Sequence, residues 1–291
     1  MVRTSVSDAT WAAYGKVWKD WQQLMLWSGG TFAPEERMEA LLWWLFWKVE
    51  EGKSAATLEK GMAALAFLFK LKGWEDITKR FEIRQAVMGV KKKRIGKDSR
   101  RPVSVELLQG LQGVLVNICR SKYEAKLFQA AFALAFFGAF RVGELVSHSK
   151  SKPGGLDIKE VVMGEAGIWV WLRKSKTDTW GKGRQIELAR LDGGDICPWG
   201  CLRRYLEVRP GSAGPLLAHE DGRPLTRYQF TTIFKLSLER LGKNPKDYGT
   251  HSFCIGAATE AARAGLAEDV IRKIGRWESR RFRSYIRPSL L

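Results

Sequence analysis

Five residues from position 141 onward have side chains that could act together on a phosphodiester: Arg141, Lys176, His251, Trp277 and Tyr285. A phosphodiester is anionic, and its transition state gathers further negative charge on the non-bridging oxygens, which fixed cationic donors stabilise. A phenol with a pKa of about 10 needs a nearby base or a positive field to attack at neutral pH. The leaving alkoxide needs a proton, which a lysine with a lowered pKa can give.

Taken singly, these residues have ordinary interpretations. Arg141 follows the apolar run AFALAFFGAF, where an arginine is usually a surface or packing residue. Lys176 lies at a basic hairpin tip, and His251 precedes a helix. The order of the motifs along the chain is far more specific than any single residue. The motifs are RVGEL, the hairpin KSKTD, THSFCIGAATEAA and GRWES, followed by Tyr285 eight residues after Trp277.

This ordered set resembles the catalytic domain of the tyrosine recombinases, the phage-integrase-like DNA strand transferases, over most of residues 100–291. The stretch from ICPWGCLRRYL through GPLLAHEDGRPLTR to HSFCIGAATEAARAG is most similar to versions carried by DIRS-like retroelements and cryptons, which are eukaryotic mobile elements. The resemblance implies a site-specific recombinase or integrase. Such an enzyme cleaves and rejoins double-stranded DNA through a 3′-phosphotyrosyl intermediate and needs neither a metal nor another cofactor.

The resemblance also implies a role for each residue that handles the charge of the phosphate. Arg141 would contact the scissile phosphate. Glu144, one turn later, would support the site by holding neighbouring catalytic groups. Trp277 would occupy the family's His/Trp position and place its indole N–H on a phosphate oxygen.

Three further roles concern the proton and the covalent bond. Tyr285 would be the nucleophile that forms the phosphotyrosyl bond. His251 would act in proton transfer as the histidine of the family's His-x-x-Arg motif. Lys176 would protonate the leaving 5′ oxygen.

The sequence departs from that motif at Cys254, which stands where the second phosphate-binding arginine is expected. Residues 251 and 254 share a face of a helix. A thiol carries no positive charge, and it cannot donate bidentate hydrogen bonds to a phosphate as a guanidinium can. Decay of an element copy, recruitment for DNA binding alone and an engineered change each account for the cysteine, and the sequence leaves them open. The small residues after Cys254 are expected to allow close approach of a helix or of DNA.

Three functions therefore compete. The first is a recombinase or integrase that is weakened by Cys254. The second is a catalytically inactive DNA-binding protein derived from one, and the third is a DNA-relaxing enzyme similar to type IB topoisomerases. The expected partners are double-stranded DNA and further copies of the chain, as a dimer on one site and a tetramer on paired sites.

The charge balance independently favours a polyanionic partner. The 291 residues include 49 Lys and Arg against 31 Asp and Glu, a formal charge of +18. A solubility charge or a membrane-surface patch is the alternative. The densest apolar run, ALLWWLFWKV, is shorter than the ~18 residues that a membrane span needs. The polar start MVRTSVSDAT lacks a signal-peptide core. We expect a nuclear protein in a eukaryote, a cytoplasmic one otherwise, and no secretion or membrane partner.

The cysteines and histidines do not predict a metal site. The chain has 4 Cys and 3 His. Cys197 and Cys201 form CPWGC, but no second Cys or His pair follows at zinc-finger spacing.

Hydrophobic periodicity predicts a mostly helical chain with a small antiparallel sheet, in two domains. Residues 1–90 read as a helical, SAM-like core-binding domain, with helices over 8–27, 34–51, 54–73 and 76–89. An aromatic stripe in the first helix indicates a core face, with a base-stacking surface as the alternative.

Residues 91–103 read as a basic linker, because KKKRIGKDSRR has no apolar periodicity and Pro102 closes it. A solvated connection and a nuclear-localisation patch are possible interpretations. We favour a strap along DNA phosphates. Its candidate DNA-binding residues are Lys91, Lys92, Lys93, Arg94, Lys97, Arg100 and Arg101.

Residues 104–291 are the expected catalytic domain. Strands are predicted over 168–173 and 185–188, joined by the basic hairpin tip. The predicted helices cover 104–119, 122–137, 198–208, 226–242, 251–264, 267–275 and 279–287.

Overall fold

The computed structural model describes residues 2–30, 32–93, 99–149, 154–173, 183–191, 194–277 and 280–290. The chain divides into two compact units, Met1–Asp98 and Ser99–Leu291. Helices dominate both units, and the described strands form a small antiparallel sheet in the second, so the predicted fold class is confirmed. No helix within these ranges is long and apolar enough to cross a membrane.

The helices of the first unit begin within five residues of the predicted starts. They are α1 (Asp8–Trp27), α2 (Arg37–Glu50), α3 (Ala55–Leu71) and α4 (Phe81–Lys93). The Ser7 hydroxyl accepts a hydrogen bond from the backbone N–H of Thr10, and Ser54 does the same for Thr57. These caps satisfy donors that a first helical turn leaves unpaired.

Among the aromatic side chains of this unit, Trp21, Trp44 and Phe69 are buried in its core. Trp21 of α1 is fully buried, with ring centroids 5.6 Å from Phe32 and 5.1 Å from Phe69. Trp44 of α2 is also buried, and its ring covers Gly61 of α3 so closely that a Cβ there would stand 2.5 Å from it. The core interpretation of the aromatic stripe is therefore confirmed at Trp21.

The end of the first unit differs from the prediction of a helix over 76–89. A 3-10 turn, Ile77–Lys79, comes first, and α4 then continues to Lys93. Lys91 on its last turns bonds to Glu59 of α3 at 2.9 Å. The first three lysines of the basic run thus continue a helix, because lysine is a good helix former and no glycine or proline interrupts them.

The second unit packs around one helix whose second half consists entirely of apolar residues. Its helices are α5 (Val105–Ile118), α6 (Lys122–Phe137), α7 (Val142–Leu145), α8 (Pro198–Leu206), α9 (Arg227–Arg240), α10 (Ser252–Arg263) and α11 (Glu268–Gly275). Helix α6 is the apolar one, as expected for a core element. Its Phe132 ring meets Phe230 of α9 at 5.1 Å and Phe253 of α10 at 5.5 Å. These contacts fix α10 against the segment that leads to Arg141.

The sheet consists of β1 (Val161–Met163), β2 (Gly167–Leu172) and β3 (Arg184–Ala189), in that order and antiparallel. Ile168 lies opposite Leu188 and Val170 opposite Ile186, and all four side chains are buried. The two predicted strands are confirmed, whereas β1 was not predicted because VVM is too short to show alternation.

Helix α10 approaches a neighbouring backbone at Gly256. A Cβ on this residue would stand 1.9 Å from the carbonyl oxygen of Val103, so only glycine fits there. The predicted role of the small residues of α10 in close approach is confirmed here for a protein segment.

Substituting Gly256 should therefore destabilise the second unit. We expect Gly256→Ala to lower the free energy of unfolding by about 1–3 kcal/mol, because overpacking outweighs the better helix propensity of alanine. Gly113→Ala in α5 is the matched control, since nothing lies within 4 Å of its Cβ position. That change should stabilise by up to about 1 kcal/mol. Urea unfolding of both variants measures the difference, and equal shifts would contradict the packing argument.

Candidate active site

Arg141 lies at the start of α7, immediately after the buried helix α6 and a tight turn. Its Nη1 donates to Oε1 of Glu144 at 3.0 Å, and its backbone N–H donates to Oε2 of the same carboxylate at 3.0 Å. The Arg141 side chain is 25% exposed, whereas that of Glu144 is 7% exposed. The carboxylate thus fixes the direction of a guanidinium that still reaches the surface, as the family resemblance implies for Glu144.

His251 and Tyr285 meet although 34 residues separate them in the chain. The Nε2 of His251 and the hydroxyl of Tyr285 are 2.9 Å apart, and the ring centroids are 5.2 Å apart. His251 immediately precedes α10, and Tyr285 ends the 3-10 helix Arg280–Tyr285. This places a phenol within proton-transfer distance of an imidazole.

The segment that carries Tyr285 was predicted as an α-helix over 279–287, and this is wrong. It is a 3-10 helix that ends at Tyr285, and Arg287, two residues later, is disfavoured in α conformation because it precedes Pro288. The buried Thr259 of α10 also binds its backbone. The Thr259 hydroxyl lies 3.0 Å from the carbonyl of Tyr285 and accepts from the N–H of Arg287 at 3.1 Å. Thr259 thereby fixes the segment that carries Tyr285, a contact the sequence analysis missed.

Trp277 packs on the candidate nucleophile. Its ring is tilted against Tyr285 at a centroid distance of 5.1 Å and stacks on Phe282 at 6.4 Å. It is half-buried. The indole therefore restricts the orientation of the Tyr285 ring, whereas its predicted contact with a phosphate oxygen stays a prediction.

Arg276 is a site residue that the sequence analysis did not identify. Its side chain is 3% exposed, and its Nη2 donates to Oε2 of Glu144 at 3.1 Å. The same guanidinium donates to the carbonyls of Gly138 at 2.8 Å and Ala139 at 3.1 Å. Burial lowers the pKa of Arg276, and the Glu144 carboxylate opposes that shift. Glu144 is therefore shared between Arg141 and Arg276.

Cys254 lies in the same place, beneath the segment that leads to Arg141. Its Sγ is 3.5 Å from the carbonyl oxygen of Ala139 and 3.4 Å from that of Phe140, and the residue is 2% exposed. Burial raises the pKa of the Cys254 thiol to about 12, although the charges of Arg276 and Arg141 oppose the shift. The thiol is therefore neutral at physiological pH, and it contributes no charge to the site.

Residues adjacent in the sequence connect the Arg141–Glu144 pair with the His251–Tyr285 pair. Arg276 binds Glu144, while the next residue, Trp277, contacts Tyr285. Within one turn at the start of α10, His251 meets Tyr285 and Cys254 meets the carbonyls before Arg141. Among the described residues, the structure thus brings together the predicted catalytic residues Arg141, His251, Trp277 and Tyr285.

Lys176 and part of the basic run fall outside the described residues. Lys176 belongs to residues 174–182, and Arg94 and Lys97 to residues 94–98. Lys91 and Lys92 are exposed. The backbone of Arg100 is bonded to the segment that follows Tyr285, because Nη1 of Arg287 donates to the Arg100 carbonyl at 2.6 Å. Arg101 donates its backbone N–H to the carbonyl of Asp247 at 2.7 Å.

The chain was compared with protein-family models, with curated proteins and with solved structures. No protein-family model matches the chain. An integrase/recombinase xerD homolog of Selenomonas ruminantium is 23% identical over 273 residues, which cover 89% of this chain and 75% of that protein.

Three solved structures share the fold. The Tn1549 transposon integrase, residues 82–397, in complex with circular intermediate DNA, has a TM-score of 0.65 at 16% identity, covering 98% of this chain and 91% of that one. A lambda integrase dimer bound to a COC′ core site gives 0.63 at 16% identity, with 98% and 73% covered. The XerH site-specific recombinase bound to palindromic difH gives 0.58 at 16% identity, with 85% and 65% covered. The chain has the fold of the tyrosine recombinases.

The xerD homolog and the shared fold together support the resemblance to the tyrosine recombinases drawn from the ordered motifs. The finer likeness to DIRS-like retroelements and cryptons stays a prediction. Arg276 could have been suspected from its place in GRW, directly before Trp277 and nine residues before Tyr285. Its burial depends on a left-handed backbone, with a φ of 55°, which periodicity does not predict.

Proposed function

We propose that the chain is a site-specific DNA recombinase or integrase that acts through a 3′-phosphotyrosyl intermediate. The 2.9 Å contact between His251 and Tyr285 carries the proposal. Beside it stands the Arg141–Glu144 pair, joined to it through Arg276 and Trp277. The xerD homolog and the integrase structures in complex with DNA support the same reaction class.

In the proposed reaction the oxygen of Tyr285 attacks the scissile phosphorus. His251 accepts the phenolic proton as the new bond forms, and Arg141 holds a non-bridging oxygen whose charge grows. The bond from phosphorus to the 5′ oxygen breaks, and Lys176 gives that oxygen a proton. Rejoining reverses the steps, because a free 5′ hydroxyl attacks the phosphotyrosine and releases Tyr285.

We further propose that Cys254 weakens this reaction. The charged groups beside Arg141 are Glu144 and Arg276, and a neutral thiol stands where the family motif has a phosphate-binding arginine. Losing one donor to the transition state typically costs about 10²–10³ in rate. The same observation favours the second candidate function, a DNA-binding protein that has lost cleavage.

The proposed partners are double-stranded DNA and further copies of the chain. The lambda integrase neighbour is a dimer on its core site. We propose two copies on one duplex site and four on paired sites. Both numbers can be measured as the mass of complexes formed with one site or two.

A nicked suicide duplex tests the enzyme against its alternatives. Cleavage near the nick releases a short strand, so the protein stays covalently joined to the DNA and runs as a shifted band on a denaturing gel. We expect such an adduct, located on the peptide that contains Tyr285. Tight binding without an adduct would establish the DNA-binding alternative. Relaxation of supercoiled DNA without rejoining of paired sites would favour the topoisomerase-like enzyme.

The basic run is proposed to bind phosphates without reading sequence. Lys91 is 63% exposed, and its bond to the half-exposed Glu59 is a surface ion pair that phosphate can replace at little cost. Replacing Lys91, Lys92, Lys93 and Arg94 by glutamine should weaken binding to all duplexes alike. The dependence of log Kd on log salt should flatten by about 0.9 for each lost phosphate contact.

A control variant loses the same number of positive charges as the variant of the basic run. It replaces the exposed residues Lys16, Lys19, Lys53 and Lys60 of the same unit. Fluorescence anisotropy with a labelled duplex gives the slope for both variants. If both change the slope by the same amount, or neither changes it, the basic run is not a phosphate strap.

A further inference from the structure

Glu144 is the acceptor for three N–H groups from two arginines. Its Oε1 accepts from Arg141 Nη1 at 3.0 Å, and its Oε2 accepts from the Arg141 backbone at 3.0 Å and from Arg276 Nη2 at 3.1 Å. The side chains of Glu144 and Arg276 are 7% and 3% exposed, while that of Arg141 is 25% exposed. One carboxylate is thus held between a buried guanidinium and one that reaches the surface.

Backbone strain at two points supports this arrangement. Ala139 has a φ of 43° and Arg276 a φ of 55°, and no other non-glycine residue in the described part of the chain has a positive φ. Left-handed backbone is unfavourable for a residue with a Cβ, and such strain concentrates at functional sites. The two strained residues bind each other, because Nη2 of Arg276 donates to the Ala139 carbonyl at 3.1 Å.

A charge count shows what the buried arginine adds. Arg141 and Glu144 alone form a neutral pair, and a neutral pair attracts a phosphate weakly. With Arg276 the group carries a net charge of +1, and the carboxylate divides its attraction between two guanidinium groups. Cys254 adds no charge, since its pKa is about 12. The positive charge that α10 does not supply is therefore supplied by the residue after α11.

We infer that Arg276 is a positioning residue that keeps Arg141 directed and net positive toward the scissile phosphate by sharing the Glu144 carboxylate. The inference rests on the proposed function. At 4% exposure Arg276 is enclosed by protein, so it acts through Glu144 and the 138–139 turn rather than by touching DNA.

The test compares two substrates with one variant. A methylphosphonate at the scissile position replaces a charged non-bridging oxygen by a methyl group. Arg276→Gln should slow single-turnover cleavage of the normal duplex by roughly 10- to 100-fold, less than loss of a direct donor. On the methylphosphonate duplex the loss should shrink to about threefold or less. The ratio between substrates does not depend on the fraction of the variant that folds, since one preparation cleaves both.

A conservative variant separates charge from geometry. Arg276→Lys keeps the positive charge but not the planar fork that holds the carbonyls. It should recover most of the rate on the normal duplex, and DNA affinity should be unchanged in both variants. Equal losses on the two substrates, with lysine as poor as glutamine, would show that Arg276 only supports the fold and would overturn the inference.

A second readout does not depend on cleavage. Inorganic phosphate should raise the melting temperature by binding the folded chain, and Arg276→Gln should reduce this rise. Arg203→Gln is the matched control, because Arg203 also pairs with a carboxylate, Glu207, but is exposed. If the unchanged chain forms no adduct, the proposed function fails and this readout decides the inference. A phosphate response that is the same in all three proteins would overturn it.

Discussion

A Tyr285→Phe variant is expected to form no covalent adduct with a nicked duplex, while it binds the same duplex as tightly as the unchanged chain. The change removes only the oxygen that the proposed reaction joins to phosphorus. DNA affinity should persist because many other phosphate contacts hold a complex of a chain with a charge of +18. Denaturing gels measure the adduct, and anisotropy measures the affinity.

The variant should also fold, which makes the loss of the adduct interpretable. The Tyr285 hydroxyl bonds to His251, and one such bond contributes about 0.5–1.5 kcal/mol. The ring contact with Trp277 at 5.1 Å remains in phenylalanine. We expect a melting temperature lower by no more than about 2–5 °C.

Tyr228→Phe is the matched control, because Tyr228 is 78% exposed and lies away from the described site contacts. It should form the adduct at the normal rate. An adduct that persists in Tyr285→Phe would show that another residue is the nucleophile. An adduct lost in both variants would point to damaged folding instead.

The sequence could predict the order of the motifs and the elements that carry them. The second half of helix α6, residues 130–137, is entirely apolar, so its burial follows from composition, and Arg141 comes four residues after it in the chain. The family resemblance assigned separate roles to His251 and Tyr285, and the structure places His251 Nε2 and the Tyr285 hydroxyl 2.9 Å apart. These features rest on local patterns or on ordered motifs, both of which a single sequence contains.

The remaining features depend on packing between distant segments. Arg276 is bound to Glu144 across 132 positions, and its inward direction needs a left-handed residue that is not glycine. The helix predicted around Tyr285 is a 3-10 turn because Thr259, on another helix, binds its backbone. Neither the tertiary hydrogen bonds nor the strained turn leaves a periodic signal along the chain.

A Cys254→Arg variant is expected to raise single-turnover cleavage by about 10²–10³-fold and to change DNA affinity far less. The Cys254 Sγ, whose place the arginine Cγ would take, lies 3.4 Å from the carbonyl oxygen of Phe140, directly before Arg141. A guanidinium extended from this point adds a forked donor for a non-bridging oxygen. The net charge around Glu144 would rise from +1 to +2.

The same substitution should cost stability. Position 254 is 2% exposed, and a longer side chain there overpacks a filled site, at about 1–3 kcal/mol. The new charge would also face Arg276, which already bonds to the neighbouring Ala139 carbonyl. We expect a melting temperature lower by roughly 2–10 °C. A faster but less stable protein is the signature of a site that lacks a donor.

Cys254→Met separates charge from size, because methionine fills similar space without a charge. It should lose stability without gaining rate. If a folded Cys254→Arg protein is no faster than Cys254→Met, the packing around Cys254 and Arg276 leaves no route for a guanidinium at position 254 to reach the phosphate. The proposal of a recombinase that lacks only this one donor would then fail, and DNA binding alone would be the better account of this chain. A gain that appears only with arginine would instead identify the missing guanidinium as the main barrier to cleavage.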